Sequence, residues 1–135
     1  MKATIAILEP HPQIRPLLSE LLVNLEYRVL FHADRFEQFI LMIDPENPPQ
    51  VCILDTNPKD MNGFDYSRWI KANFPRSSTV IYSNDLCETV FHKFKSSNVA
   101  DFYVDKSRGL DYLRRAIELA TRVVLPISRN FDGDT

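Results

Sequence analysis

Short apolar runs alternate along the chain with segments that carry helical signals. Runs of four or five residues, rich in β-branched and aromatic side chains, predict five buried strands over residues 4–8, 28–31, 51–54, 79–82 and 101–104. The segments that follow them predict five helices. The first includes residues 14–25, and the others cover about residues 35–43, 64–74, 88–97 and 110–124. Asp34 is the predicted N-cap of the second helix.

This alternation of strands and helices predicts an α/β fold with a parallel sheet covered on both faces. Right-handed crossovers then give a doubly wound, flavodoxin-like three-layer sandwich with strand order 2-1-3-4-5. Residues 1–124 form the predicted domain, and residues 125–135, with few apolar side chains, form a poorly ordered tail.

Composition narrows the function classes without changing this fold. The 135 residues are 44% hydrophobic and 25% charged, which excludes a globally disordered chain. No apolar run is long enough for a membrane span, and a net charge of -2 argues against direct nucleic-acid binding. Residues 1–12 lack the pattern of a secretory signal, so we expect a cytoplasmic protein.

The cysteines, histidines and glycines exclude several kinds of site. Two cysteines do not make a disulfide framework, and Cys52 lies in an apolar strand where a buried structural thiol is expected. The three histidines share no metal-ligand spacing. Three scattered glycines exclude the glycine-rich loops that bind dinucleotides or nucleotide phosphates.

Polar side chains stand at four of the predicted strand ends: Glu9, Asp55, Ser83 and Lys106. Ligands of doubly wound sheets bind in the crevice at the carboxyl ends of the strands, so these side chains converge there. Asp55 next to a cation is a candidate nucleophile toward phosphorus, giving an acyl phosphate. Such a transfer needs a divalent cation, for which Glu9, Asp55 and a main-chain carbonyl are candidate ligands.

These residues resemble the receiver domains of response regulators. The segment DTNPKDMNG, residues 55–63, is similar to the phosphoacceptor loop of that family, and ILEPHPQIR, residues 7–15, resembles the end of its first strand. The resemblance covers about residues 3–123. It implies a two-component signalling protein that accepts a phosphoryl group on Asp55 from a histidine kinase or a histidine phosphotransfer protein. Such a protein is a switch rather than an enzyme, with at most slow self-dephosphorylation.

The resemblance also implies roles for individual residues. The phosphoryl-binding and switch positions of the family correspond to Ser83, Lys106 and Tyr103. The implied ligands of Mg²⁺ are Glu9, Asp55 and the backbone carbonyl of Asn57. A downstream protein partner is expected at the surface of strand 4, helix 4, strand 5 and helix 5. No output domain follows in this sequence, so we expect the phosphorylated protein to act by binding another protein. The sequence leaves open whether it forms a homodimer.

The sequence departs from the family at three positions. Pro10 stands where the second acid is usual, Asn84 where alanine or glycine is usual, and Ser107 where proline is usual. Pro10 takes the place of an acid that normally binds the metal, so it puts the magnesium affinity in question. It also leaves open an alternative function, a pseudo-receiver that acts as a protein-interaction module without phosphorylation. A phosphatase of the haloacid-dehalogenase kind would need a second aspartate two residues after Asp55, where Asn57 stands.

Overall fold

One five-stranded sheet forms the centre of the molecule. The computed structural model describes residues 2–55, 62–84 and 100–122. Its strands are all parallel and lie in the order β2-β1-β3-β4-β5. They are β1 (Thr4–Leu8), β2 (Arg28–Ala33), β3 (Val51–Leu54), β4 (Ser78–Ser83) and β5 (Phe102–Asp105). This arrangement confirms the predicted doubly wound fold.

Four helices are described: α1 (Ile14–Asn24), α2 (Phe36–Met42), α3 (Asn62–Asn73) and α4 (Leu110–Arg122). α4 is the fifth helix that the sequence predicts, because the predicted fourth helix, residues 88–97, lies outside the described residues. The predicted tail, residues 125–135, lies outside them too. A short 3₁₀ turn (Lys106–Arg108) joins β5 to α4.

The prediction that Asp34 caps the second helix is wrong. Extended backbone at Arg35 precedes α2, and no side chain caps the first turn. Asp34 instead lies beside the Arg35 guanidinium, 3.8 Å away, with both side chains largely in solvent. An exposed pair of this kind contributes little to stability, so α2 is held mainly by its buried Phe39.

Strand alternation divides the core into two clusters. Ile5, Ile7 and Ile53 belong to the cluster that includes residues of α1 and α4. Ala6 and Leu54 belong to the other, which includes residues of α2 and α3. Each fully buried leucine or isoleucine contributes roughly 1.5–3 kcal/mol, so the two clusters supply most of the stability. Because the two clusters hold the sheet, the ends of its five strands stay in fixed register, and so do the functional side chains there.

α1 ends in a left-handed turn that returns the chain to the sheet. The N–H of Tyr27 donates to the Leu22 carbonyl at 3.1 Å, and the N–H of Glu26 donates to the Val23 carbonyl at 2.8 Å. Glu26 has φ 74°, a conformation that glycine adopts with less strain. The turn leads directly into β2, which begins at Arg28.

Cys52 is a fully buried free thiol on β3. Burial raises the pKa of this thiol to about 12. The prediction of a structural cysteine is therefore confirmed. Within residues 2–55, 62–84 and 100–122, no helix has the length and hydropathy of a membrane span.

Candidate functional site

Two acidic residues stand side by side where adjacent strands end. Glu9 directly follows β1, and its N–H donates to the Ala33 carbonyl of β2 at 3.0 Å. Asp55 directly follows β3, and its N–H donates to the Leu8 carbonyl of β1 at 2.8 Å. Glu9 is 1% exposed and Asp55 is 9% exposed. The sheet therefore fixes the backbone of both acids and withdraws their carboxyl groups from most solvent.

Lys106 joins the two acids. It begins the 3₁₀ turn after β5, and its Nζ donates to Glu9 Oε1 at 2.9 Å and to Asp55 Oδ2. Only 13% of its side chain is exposed. Asp105 stabilises the turn by accepting a hydrogen bond from the Ser107 N–H at 2.8 Å. The structure thus brings together three of the four residues predicted at strand ends, in one ion-paired group.

The segment between β1 and α1 holds Glu9 from the other side. The N–H of His11 donates to Glu9 Oε2 at 3.0 Å, and Arg15 Nη1 donates to the Glu9 carbonyl at 3.1 Å. Nδ1 of His11 accepts from the N–H groups of Gln13 and Ile14, at 3.2 and 3.3 Å. Because these N–H groups have no partner within the helix, His11 stabilises the start of α1 and orients Glu9.

The site holds two acidic groups but one basic group. Burial and the neighbouring Glu9 carboxyl raise the pKa of Asp55 to about 8, against the attraction of Lys106. Burial alone would raise the pKa of Glu9, but hydrogen bonds with Asp55, Lys106 and the His11 N–H lower it. Burial would lower the pKa of Lys106, yet its bonds to both acids raise it. When both carboxyl groups are ionised, one ammonium between them leaves one negative charge, which favours a further cation.

This donor set fits Mg²⁺. Magnesium takes one or two carboxylates and completes its octahedral shell with water and main-chain oxygen. Glu9 and Asp55 supply two carboxylates within reach of one ammonium. In residues 2–55, 62–84 and 100–122, no group of three or more acidic, histidine or cysteine side chains is placed to hold a metal. Asn57, the predicted carbonyl ligand, lies outside the described residues.

The other predicted site residues lie along β4 and β5. Ser83 is the last residue of β4, fully buried and in register with Asp105. Tyr103 of β5 is half-buried against the core cluster of α2 and α3, and its hydroxyl accepts a hydrogen bond from the Ala100 N–H at 3.3 Å. Pro10 and Asn84 are exposed at the same edge.

Sequence reasoning missed three residues that contact the site. His11 and Arg15 hold Glu9, and the ring of Tyr82 lies below the Lys106 ammonium, with Nζ 5.5 Å from the ring centroid. The signal available for His11 was a side chain with a nitrogen acceptor three residues before Ile14, where α1 begins. No sequence signal points to Tyr82, because its position in β4 predicts only a core side chain.

The chain is similar to known proteins in both sequence and structure. A sequence profile described as the response regulator receiver domain matches residues 5–118. No curated protein matches the chain. Among solved structures, a receiver domain protein from Clostridium thermocellum is similar with a TM-score of 0.76 and 21% identity, over 89% of this chain and 94% of the other.

Two further solved structures share the fold. The non-phosphorylated HemR receiver domain from Leptospira biflexa has a TM-score of 0.74 and 19% identity, over 93% of this chain and 98% of its own. The response regulator TrrA from Thermotoga maritima, in complex with Mg²⁺ and BeF, has a TM-score of 0.71 and 24% identity, over 89% and 99%. At these identities the structures establish the fold.

Proposed function

Because the chain belongs to the response regulator receiver domain family of two-component systems, we propose that it accepts a phosphoryl group on Asp55. The donor is a histidine kinase or a histidine phosphotransfer protein. The observation that carries the proposal is the buried contact of Lys106 with both Glu9 and Asp55, at the carboxyl end of the sheet. On this proposal the protein is a phosphoacceptor switch rather than an enzyme, and it works in the cytoplasm.

The residues at this edge account for the chemistry of the transfer. An ionised oxygen of Asp55 attacks phosphorus, and the bond from phosphorus to the donor nitrogen, or to the acetate oxygen of acetyl phosphate, breaks. The donor group leaves with the bonding electrons, and Asp55 becomes an acyl phosphate. Lys106 pairs with the phosphoryl charge, and the Ser83 hydroxyl donates a hydrogen bond to a phosphoryl oxygen.

Glu9, Asp55 and the backbone carbonyl of Asn57 are the proposed ligands of Mg²⁺. When bound, the ion neutralises phosphate oxygens on which charge is spread during the transfer. Pro10 supplies no carboxylate, so Glu9 has to serve where the family normally has two acids. Its carboxylate already lies in contact with the ammonium that Asp55 shares, which supports this role.

Ser83 and Tyr103 are the proposed switch residues. The Tyr103 hydroxyl bonds to the Ala100 N–H, so a rotation of this ring on phosphorylation would release the chain that enters β5. This coupling supports a partner surface that includes β4, β5 and α4. The partner is another protein rather than nucleic acid or a membrane, and a homodimer is one form that the interaction can take.

Intact mass after incubation with acetyl phosphate tests the proposal. A gain of one phosphoryl group is expected in the presence of Mg²⁺, and none in Asp55→Asn. Asp101→Asn is the matched control, because Asp101 is an acid at the opposite edge of the sheet, paired with Lys71 at 2.9 Å. No gain at any magnesium concentration would refute phosphoacceptance and leave the pseudo-receiver, in which Asp55→Asn does not change partner binding.

A second variant tests the metal site. Pro10→Asp restores the acid that is usual at that position, on an exposed residue next to Glu9. The variant is expected to be phosphorylated at a lower magnesium concentration than the wild type, because a second carboxylate strengthens binding of a hard cation. Glu9→Gln is expected to raise the magnesium requirement, whereas Glu46→Gln, at an exposed loop position, is expected to leave it unchanged.

A further inference from the structure

Tyr82 lies against the cation of the site. It is the residue before Ser83 on β4, is 8% exposed, and belongs to the core cluster that includes Val80 and Leu113. Lys106 Nζ lies 5.5 Å from the centroid of its ring. The ammonium therefore has an aromatic partner as well as the carboxyl groups of Glu9 and Asp55.

We propose that Tyr82 is a positioning residue whose ring holds the Lys106 ammonium at the edge shared by Glu9 and Asp55. Its effect on phosphorylation rests on the function proposed above. On this proposal the ring acts through Lys106.

The physical basis is the attraction of an ammonium for the negative face of an aromatic ring, which is strongest when both groups are withdrawn from water. A lysine side chain has a flexible four-carbon stem and tends to extend its charge into solvent. Here the ring covers that ammonium from below, and the side chain is 13% exposed. Lys106 therefore stays directed at Asp55.

The ring has a second consequence during transfer. Once Asp55 carries a phosphoryl group, the oxygen that accepted from Lys106 is part of an acyl phosphate, and the ammonium must pair with phosphoryl oxygens instead. The ring does not change in this step. Tyr82 thus gives Lys106 one partner that is the same before and after phosphorylation.

Simple core packing is the competing explanation for Tyr82, and a double-mutant cycle separates the two. The four proteins are wild type, Tyr82→Leu, Lys106→Ala and the double variant. Each is measured twice, by the rate of phosphorylation with acetyl phosphate and Mg²⁺, and by the equilibrium constant of urea unfolding without either. Tyr82→Phe keeps the ring, and Val80→Ala removes buried volume from the same cluster without touching Lys106.

Tyr82→Leu is expected to slow phosphorylation roughly tenfold in the wild-type background and not at all in the Lys106→Ala background. Tyr82→Phe retains a rate near that of the wild type. In the unfolding cycle, the two substitutions couple by roughly fivefold in the equilibrium constant, and Val80→Ala and Lys106→Ala do not couple.

Equal slowing in both backgrounds, or no coupling in the unfolding cycle, overturns the proposal. If the wild type accepts no phosphoryl group, the proposed function fails, and the unfolding cycle alone decides whether the ring holds the ammonium. If Lys106→Ala abolishes phosphorylation, the rates cannot be compared. The unfolding cycle then decides between the two explanations for Tyr82. Tyr82→Met replaces Tyr82→Leu in both cycles if the leucine variant does not fold.

Discussion

Asp55→Asn is expected to stabilise the folded protein at neutral pH in the absence of Mg²⁺. Asp55 is buried beside Glu9, and one ammonium serves both carboxyl groups. Asparagine has nearly the same shape and carries no charge. The substitution therefore removes the repulsion between two acids, although it also removes one partner of Lys106.

The shifted pKa sets the size of this effect. The pKa of Asp55 rises from 3.8 to about 8, and each pKa unit corresponds to about 1.36 kcal/mol. Full ionisation of Asp55 thus lowers the free energy of unfolding by at most about 6 kcal/mol. At pH 7 the Asp55 carboxyl group of the folded protein is still mostly protonated, and part of its pKa shift comes from the interaction with Glu9. The cost of holding the Asp55 proton at pH 7 is about 4 kcal/mol, and we expect about half of it, a gain of about 2 kcal/mol, for the variant, because the substitution also removes one partner of Lys106.

The sign of the pH dependence follows from the raised pKa. Below pH 3.8 the carboxyl group is protonated in both states and carries no penalty. The wild type loses stability as the pH rises through this value toward 8, because unfolding then releases a proton. The advantage of Asp55→Asn is therefore smaller at pH 5 than at pH 8.

Urea unfolding followed by circular dichroism, at pH 5 and pH 8, measures both quantities. Added Mg²⁺ should narrow the advantage of the variant, since an ion at tenfold its dissociation constant stabilises the wild type by about 1.4 kcal/mol and has no site in the variant. Asp101→Asn is the control. The Asp101 carboxylate pairs with Lys71 and accepts a hydrogen bond from the Thr79 N–H at 2.8 Å. Loss of its charge should therefore destabilise the protein. Destabilisation by Asp55→Asn at pH 8 would show that the charge argument is wrong.

Three further predictions concern the scaffold. Glu26→Gly should raise the free energy of unfolding by about 1 kcal/mol, because glycine adopts the φ of 74° at this position with less strain. Glu26→Ala should not raise it, and equal effects of the two variants in chemical denaturation would contradict this prediction. Tyr27→Phe should stabilise by up to about 1 kcal/mol, because its buried hydroxyl has no hydrogen-bond partner among the described residues, and a lower melting temperature would count against it. Cys52 should resist iodoacetamide in the native protein and react in urea, as peptide mapping by mass can show; rapid native labelling would disprove its burial.

Sequence reasoning succeeded where a local pattern has one structural outcome. The short β-branched runs specify strands, and their alternation with helices allows few arrangements other than a parallel sheet covered on both faces. It also named Glu9, Asp55 and Lys106, because the carboxyl ends of parallel strands meet at one edge. It failed at Asp34, because a residue that favours an N-cap forms one only where the backbone turns at that position, and here the turn comes one residue later.

Local patterns along the chain thus specify the fold, the edge of the sheet that carries the chemistry and the residue types available there. How these residues meet depends on contacts between distant parts of the chain. Lys106 contacts Glu9 and Asp55 across 97 and 51 positions of the chain, and Tyr82 lies below its ammonium. The pKa of Asp55 depends on burial and on charges from other strands. Such contacts follow from packing in three dimensions, which no local pattern of side chains encodes.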